Sequence, residues 1–114
     1  MSITLYHNPR CSKSRQALQL LTERGYQVEI VRYLETPLSV EELQNLMTLL
    51  KLTDATQMMR TKEAEFKQQN LREADQNTLL LAMANTPKLI ERPIVVANGQ
   101  ARIGRPVENI LEIL

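Results

Sequence analysis

The sequence predicts an α/β fold with a mixed four-stranded sheet, on three observations. A β-like run, Ile3 to Tyr6, leads into a helix-like run and then a β-branched run, Val28 to Tyr33. The middle of the chain, from Ser39 to about Asn85, carries apolar residues mostly at helical spacing. Near the end, Pro93-Ile94-Val95-Val96-Ala97 and Gln100 to Ile103 flank Asn98-Gly99, a strong hairpin signal, before a last amphipathic stretch.

Taken in order, Ile3-Thr4-Leu5-Tyr6 is the first strand. Ser12 to about Arg24 is the first helix, with Ala17, Leu18, Leu20 and Leu21 apolar and Gly25 placed to end it in a left-handed conformation. Val28, Ile30, Val31 and Tyr33 form the second strand. Two strands joined by a helix should lie parallel, with a right-handed crossover. After a connector around Pro37, Ser39-Val40-Glu41-Glu42 reads as a capping box opening a helix with Leu43, Leu46, Met47 and Leu50 on one face. Asp54 to Met59 reads as a short helix, with Met58-Met59 in the core. Glu63 to Gln69 reads as a polar, exposed helix. Asp75 to Asn85 is another helix, ended by Thr86-Pro87. A strand starting at Pro93 is tolerated, and Pro106 to Leu114 closes as a helix with proline in its first turn. The order βαβ, helical middle, ββα is the thioredoxin/glutaredoxin plan with an enlarged helical section between its halves. With no repeat, low-complexity segment or linker, residues 1–114 are expected to form a single domain, with a helical insertion at about 39–88.

The totals exclude several function classes. The chain has 114 residues, 43% of them hydrophobic and 24% charged, ordinary for one globular domain. A net charge of +1 gives no general attraction to nucleic acid or to an anionic membrane. The longest apolar run, Leu79 to Ala84, is far short of the ~20 residues a membrane helix needs. No charged-then-apolar leader opens the chain, so no signal peptide is expected. One cysteine excludes an internal disulfide and fits a reducing compartment, most simply the cytoplasm. One cysteine and one histidine cannot supply a typical zinc site, so no metal is expected.

The chemistry concentrates in Tyr6-His7-Asn8-Pro9-Arg10-Cys11-Ser12-Lys13-Ser14-Arg15, which holds the only cysteine and the only histidine. Cys11 falls where a strand ends and a helix begins. The first amides of a helix lack internal partners and, with the helix dipole, favour an anion in front of them. A thiolate is such an anion, and Arg10, Lys13 and Arg15 add positive charge nearby. Free cysteines are often small buried hydrophobes, but these neighbours describe an exposed turn, which favours a reactive thiol with a lowered pKa. His7 has an ordinary reading as a polar cap on the core and a functional one as an electrostatic partner of Cys11.

In this plan the turn after strand one faces the turn before strand three, which brings Arg92-Pro93 near Cys11. Arg105 follows strand four, and Arg60 lies in the helical middle. Three guanidinium groups beside a thiolate would make an oxyanion pocket, because the planar fork donates paired bonds and stays charged. The commonest role of an arginine is a surface ion pair, and Arg24, Arg32, Arg72 and Arg102 read that way. Arg92 stands out by preceding a strand-initial proline.

The sequence resembles the glutaredoxin-linked arsenate reductases, the ArsC family, together with their close uncharacterised relatives. The resemblance is carried by Leu5-Tyr6-His7-Asn8-Pro9-Arg10-Cys11 with Ser14-Arg15, by Tyr33-Leu34-Glu35-Thr36-Pro37, Met59-Arg60, Arg92-Pro93-Ile94-Val95-Val96, and Gly104-Arg105-Pro106. It runs from one end of the chain to the other, and the first and fourth segments in order are the most specific. It implies Cys11 as the nucleophile towards arsenate, and Arg60, Arg92 and Arg105 as the arginines holding the oxyanion. It also implies His7 as a residue that helps lower the cysteine pKa, and Pro93 at the position of the cis-proline. Ser14 is expected to hold the helix start and to hydrogen-bond the thiolate. Two features depart from the arsenic-resistance members. The chain stops at Leu114, short of their C-terminal tail, and Lys13 is basic where small or polar residues are usual. Both bear on which anion or thiol partner is preferred.

Reducing arsenate to arsenite takes two electrons, supplied when two thiols join in a disulfide. This chain offers one thiol, and Ser14 stands where a CxxC pair would have its second cysteine. The resemblance implies no bound cofactor, glutathione as co-substrate, and glutaredoxin to reset the mixed disulfide. Two other functions are open at this level. One is a thioredoxin-fold thiol-stress regulator that binds RNA polymerase, against which Ser14 counts because such regulators typically use a cysteine pair. The other is a glutathione-dependent thiol transferase with another substrate.

Overall fold

The structure is a computed structural model and describes residues 3–114; Met1 and Ser2, part of the expected 1–114 domain, lie outside the described residues. The chain gathers into two compact units, Met1–Thr36 with Arg92–Leu114, and Pro37–Glu91.

The first unit holds β1 (Ile3–Tyr6), α1 (Ser12–Glu23), β2 (Val28–Val31), β3 (Ile94–Ala97), β4 (Gln100–Ile103) and a terminal 3-10 helix, Val107–Ile113. The strand order is β2-β1-β3-β4. β1 runs parallel to β2 and antiparallel to β3, and β3 runs antiparallel to β4. This is the mixed four-stranded, thioredoxin-like sheet that the sequence predicts. Ile3 and Leu5 alternate inward from β1 and meet Ala17 and Leu21 of α1, Val95 and Ala97 of β3, and Ile110 and Ile113 of the last helix. Fully burying an aliphatic side chain of this kind is worth roughly 1.5–3 kcal/mol. That apolar stripe, one helical turn apart at positions 17 and 21, fixes which face of α1 lies on the sheet and so how its N-terminus is aimed.

Local signals place the ends of these elements. Gly25 has φ +80°, its N–H donates to the Thr22 carbonyl, and the Tyr26 N–H donates to the Leu21 carbonyl. This paired closure of the last helical turn leaves a left-handed position that glycine adopts without strain. Asn98 and Gly99 both have positive φ, 54° and 72°, as a two-residue hairpin of type I′ requires. β2 stops at Val31, short of Tyr33, because the chain turns over Arg32, whose carbonyl accepts from the Glu35 and Thr36 amides. The last helix is of the 3-10 type, with Asn109 N–H on the Pro106 carbonyl, and Pro106 is its cap, one position outside the expected start. Both Arg92-Pro93 and Arg105-Pro106 are cis. Only the first was anticipated as a position where a cis bond belongs.

The second unit contains α2 (Val40–Leu50), α3 (Ala64–Gln68), α4 (Gln76–Asn85) and 3-10 turns at Ala55–Met58, Leu71–Glu73 and Pro87–Leu89. The predicted capping box is complete: the Ser39 hydroxyl accepts from the Glu42 amide at 3.1 Å, and the Glu42 carboxylate accepts from the Ser39 amide at 3.2 Å. Leu43 and Leu46 of α2 are buried, α2 packs on α4, and Met58 and Met59 are buried as expected. In place of the expected helix over Asp54 to Met59 there is the 3-10 turn Ala55–Met58, with a capping box of its own, Asp54 with Gln57. The 63–69 stretch is not wholly exposed: Phe66 is buried, the one large apolar residue in a five-residue helix where no periodicity can show. An isolated bridge, Met59 with Ile90, was also unforeseen, since two single residues leave no strand pattern. Among the described residues no helix is long and apolar enough to cross a membrane.

Candidate active site

β1 continues one residue past its last strand position, with the His7 amide donating to the Val31 carbonyl at 2.9 Å. The chain then turns tightly through Asn8, Pro9 and Arg10. The Cys11 amide donates to the Asn8 carbonyl at 3.0 Å, and the Arg10 amide to Asn8 Oδ1 at 3.0 Å, a local turn that asparagine is suited to make. Arg15 reaches back from α1 and donates from Nη1 to the Pro9 carbonyl at 2.9 Å. The Asn8 amide donates to Ser14 Oγ at 3.0 Å, and Ser14 Oγ lies 2.7 Å from His7 Nδ1. The turn is thus tied on both sides to the first turn of α1.

Cys11 is the N-cap of α1, with extended backbone angles. The amides of Ser14 and Lys13 stabilise the sulfur without completing a capping hydrogen bond. Cys11 is only 8% exposed, which corrects the expectation of an exposed thiol: its neighbours Pro9, Arg10, Ser12 and Lys13 are exposed, and the cysteine is not. Local polarity misled because residues far along the chain come to the sulfur. Arg105 Nη2 stands 3.8 Å from Sγ. Burial pushes the Cys11 thiol up, while the Ser14 amide, the Arg92 charge, the Lys13 amide and the Arg92 N–H groups pull it down. The second set wins, and the thiol sits below its ordinary value.

Arg92 and Arg105 meet because β3 and β4 pair with Ile94 opposite Ile103. That register puts the residues before β3 beside those after β4. The Gly104 amide donates to the Pro93 carbonyl at 2.8 Å, and Arg105 Nε donates to the Arg92 carbonyl at 2.8 Å. A Cβ on Gly104 would stand 2.8 Å from Pro93 Cγ, so this position leaves no room for a side chain against the rigid proline ring. Arg92 Nε and Nη1 are buried and have no hydrogen-bond partner. Buried donors are normally satisfied, and leaving a charged group unpaired costs several kcal/mol in general. An anion is the partner that such a group calls for.

His7 and Ser14 are both buried beside Cys11 in sequence, but their expected roles change. The pKa of His7 is lowered by burial, then by the charges of Arg32 and Arg15, so the ring is neutral at pH 7. A neutral imidazole is not the electrostatic partner that was expected, and the charge beside the sulfur comes from Arg92. The Ser14 hydroxyl is taken up by His7 and Asn8, and it is the Ser14 amide that favours the thiolate. A histidine whose pKa is depressed on folding contributes stability that is present above its unfolded value near 6.5 and is lost as pH falls through the folded value. The thermal midpoint should therefore drop between pH 7 and pH 5 by more in the native protein than in His7→Gln, as read by circular dichroism. Equal drops would remove His7 as a source of the pH dependence.

Arg60 belongs to the second unit. Its amide donates to the Leu89 carbonyl at 2.7 Å, and its Nη2 pairs with Glu63 Oε1 at 2.6 Å. Glu63 also faces Lys88 Nζ at 3.6 Å. Cys11, Arg92 and Arg105 are thus brought together within the first unit, with His7 and Ser14 bracing the turn. Sequence reasoning missed Asn8 and the Arg15 clip as the residues that shape this turn. Their signal was an asparagine before Pro-Arg and an arginine one turn into the helix.

Residues 6–113 match the ArsC family. The chain belongs to the ArsC family. An arsenate reductase of Neisseria meningitidis serogroup A is 50% identical, with 98% of this chain and 97% of the relative aligned. An uncharacterised protein of Escherichia coli K12, YfgD, is 51% identical over 98% of this chain and 96% of its own. The solved structure of an arsenate reductase from Vibrio cholerae superposes with a TM-score of 0.97 at 53% identity, covering 100% of this chain and 98% of that one.

Proposed function

We propose that this chain is an arsenate reductase that uses Cys11 as its nucleophile, glutathione as its second thiol and glutaredoxin to restore the cysteine. The observation that carries the reading is the pair of buried Arg92 donors, Nε and Nη1, that have no hydrogen-bond partner beside a thiol with a lowered pKa. The names of the Neisseria and Vibrio relatives support arsenate as the anion.

In this mechanism the Cys11 thiolate attacks arsenic, a sulfur–arsenic bond forms, and one arsenate hydroxyl takes a proton from solvent and leaves as water. Arg92 and Arg105 hold the remaining oxygens and neutralise their charge. Arg60 is the third arginine in this proposal, on resemblance alone. The glutathione sulfur then bonds to the Cys11 sulfur as the sulfur–arsenic bond breaks. The electron pair of that bond stays on arsenic, which leaves as arsenite. Two thiols become one mixed disulfide, which accounts for both electrons, and glutaredoxin takes the glutathione by thiol exchange. The His7–Ser14–Asn8 bonds hold the turn in the shape that presents the sulfur. A cytoplasmic setting, where glutathione keeps thiols reduced, suits the cycle. No resident cofactor takes part.

The test is a coupled assay with arsenate, glutathione, glutaredoxin, glutathione reductase and NADPH. The expected result is NADPH oxidation only when arsenate and this protein are both present. Oxidation that does not depend on arsenate would point to a general thiol transferase instead.

A further inference from the structure

A second thiol must enter from solution, and the structure offers it a place. A cavity of about 240 Å³ is lined by His7, Asn8, Pro9, Arg10, Arg32, Leu34 and Glu35. Asn8, Pro9 and Arg10 are the residues directly before Cys11. Three residues span at most about 10 Å even when fully extended, so the cavity and the sulfur lie within the reach of one tripeptide.

We infer that this cavity is the subsite for one arm of the thiol co-substrate, the arm of a small peptide thiol that carries both a carboxylate and the ammonium group. The charges are complementary. Arg10 and Arg32 can take the carboxylate of that arm, Glu35 can take its ammonium, and Leu34, 44% exposed, gives the peptide an apolar surface. These charged groups are not committed elsewhere. Arg32 and Glu35 are 4.0 Å apart with side chains 58% and 69% exposed, a pair worth about 0–1 kcal/mol. The cavity is too small for a whole tripeptide, since sites that enclose drug-sized ligands run to roughly 300–1,000 Å³. It fits one arm, which leaves the central thiol outside, towards Cys11. His7 forms part of the wall and is neutral, so it adds no competing charge. The inference deepens the proposed function and rests on Cys11 being a reactive thiolate.

The test leaves arsenate out. The Cys11 thiolate attacks glutathione disulfide, forming a mixed disulfide and releasing one glutathione thiolate, and mass spectrometry follows the rate. The neutral bis(2-hydroxyethyl) disulfide undergoes the same exchange without charges to recognise. Arg10→Glu with Arg32→Glu should slow the reaction with glutathione disulfide by about tenfold or more, and leave the neutral disulfide within about twofold. Arg24→Glu is the control for a general field effect. It reverses an exposed charge at the far end of α1, about 20 Å from Cys11 along the helix axis, and should change neither rate by more than about twofold. Equal slowing of both disulfides, no slowing of either, or an equal loss from Arg24→Glu would overturn the subsite while leaving Cys11 reactive. No reaction of native Cys11 with either disulfide would overturn the thiolate reading and the subsite together.

Discussion

Cys11→Ser is expected to lower arsenate-dependent turnover by at least about three orders of magnitude with the fold intact. The size follows from removing the group that forms the covalent bond, where losses of this order or more are usual. It also follows from electron counting: without Cys11 the chain has no thiol to contribute. The fold should survive because the residue is the N-cap of α1, and serine is among the best residues at that position. The hydrogen bonds that shape the turn run through Asn8, Ser14 and Arg15 and do not use the sulfur. The coupled NADPH assay measures the first expectation and a circular dichroism melt the second. Turnover within tenfold of the native protein would sink the covalent scheme.

Arg92→Ala is expected to act on two quantities at once. The KM for arsenate should rise by about 10- to 100-fold, or roughly 1.4–2.8 kcal/mol at 1.4 kcal/mol per decade, because charge-assisted donors to an oxyanion are lost. Over the same substitution the Cys11 pKa should rise, because the Arg92 charge and N–H groups are among the influences that lower it against the cost of burial. The midpoint of the pH profile for alkylation by iodoacetamide would move upward. The thermal midpoint should change little, since Arg92 Nε and Nη1 lose no hydrogen bond when they are removed and only the N–H contact to the Cys11 sulfur goes. Natural sites of this kind give up stability for binding. An unchanged KM would take Arg92 out of the anion site, and a large fall in the thermal midpoint would make it a structural residue.

What could be read in advance was what is local along the chain. The Gly25 closure, the Ser39–Glu42 capping box and the Asn98-Gly99 turn each follow from a few adjacent residues whose backbone preferences are decided within one turn of chain. The alternation in β1 and the spacing of Ala17 and Leu21 likewise carry their own periods. Short elements stayed hidden for the same reason: the 3-10 turns and the Met59–Ile90 bridge are shorter than any period that could announce them. The position of Cys11 at a strand-to-helix turn was local too, and so was its identity as the lone thiol.

Its environment was not. By itself the sequence determined the α/β plan, the cysteine at the start of α1, and its standing as the single thiol of the sequence. Only the tertiary structure decided that Cys11 is buried, that His7 is neutral and turned to Ser14, and that Arg92 and Arg105 stand at the sulfur. The meeting of Arg92 and Arg105 depends on the register of β3 against β4, and the state of His7 on its burial between the end of β1 and the first turn of α1. Electrostatic effects fall off with distance in space, not along the chain, so Arg92, more than eighty positions away, joins the local Ser14 and Lys13 amides in lowering the Cys11 pKa where its own polar neighbours suggested an open turn.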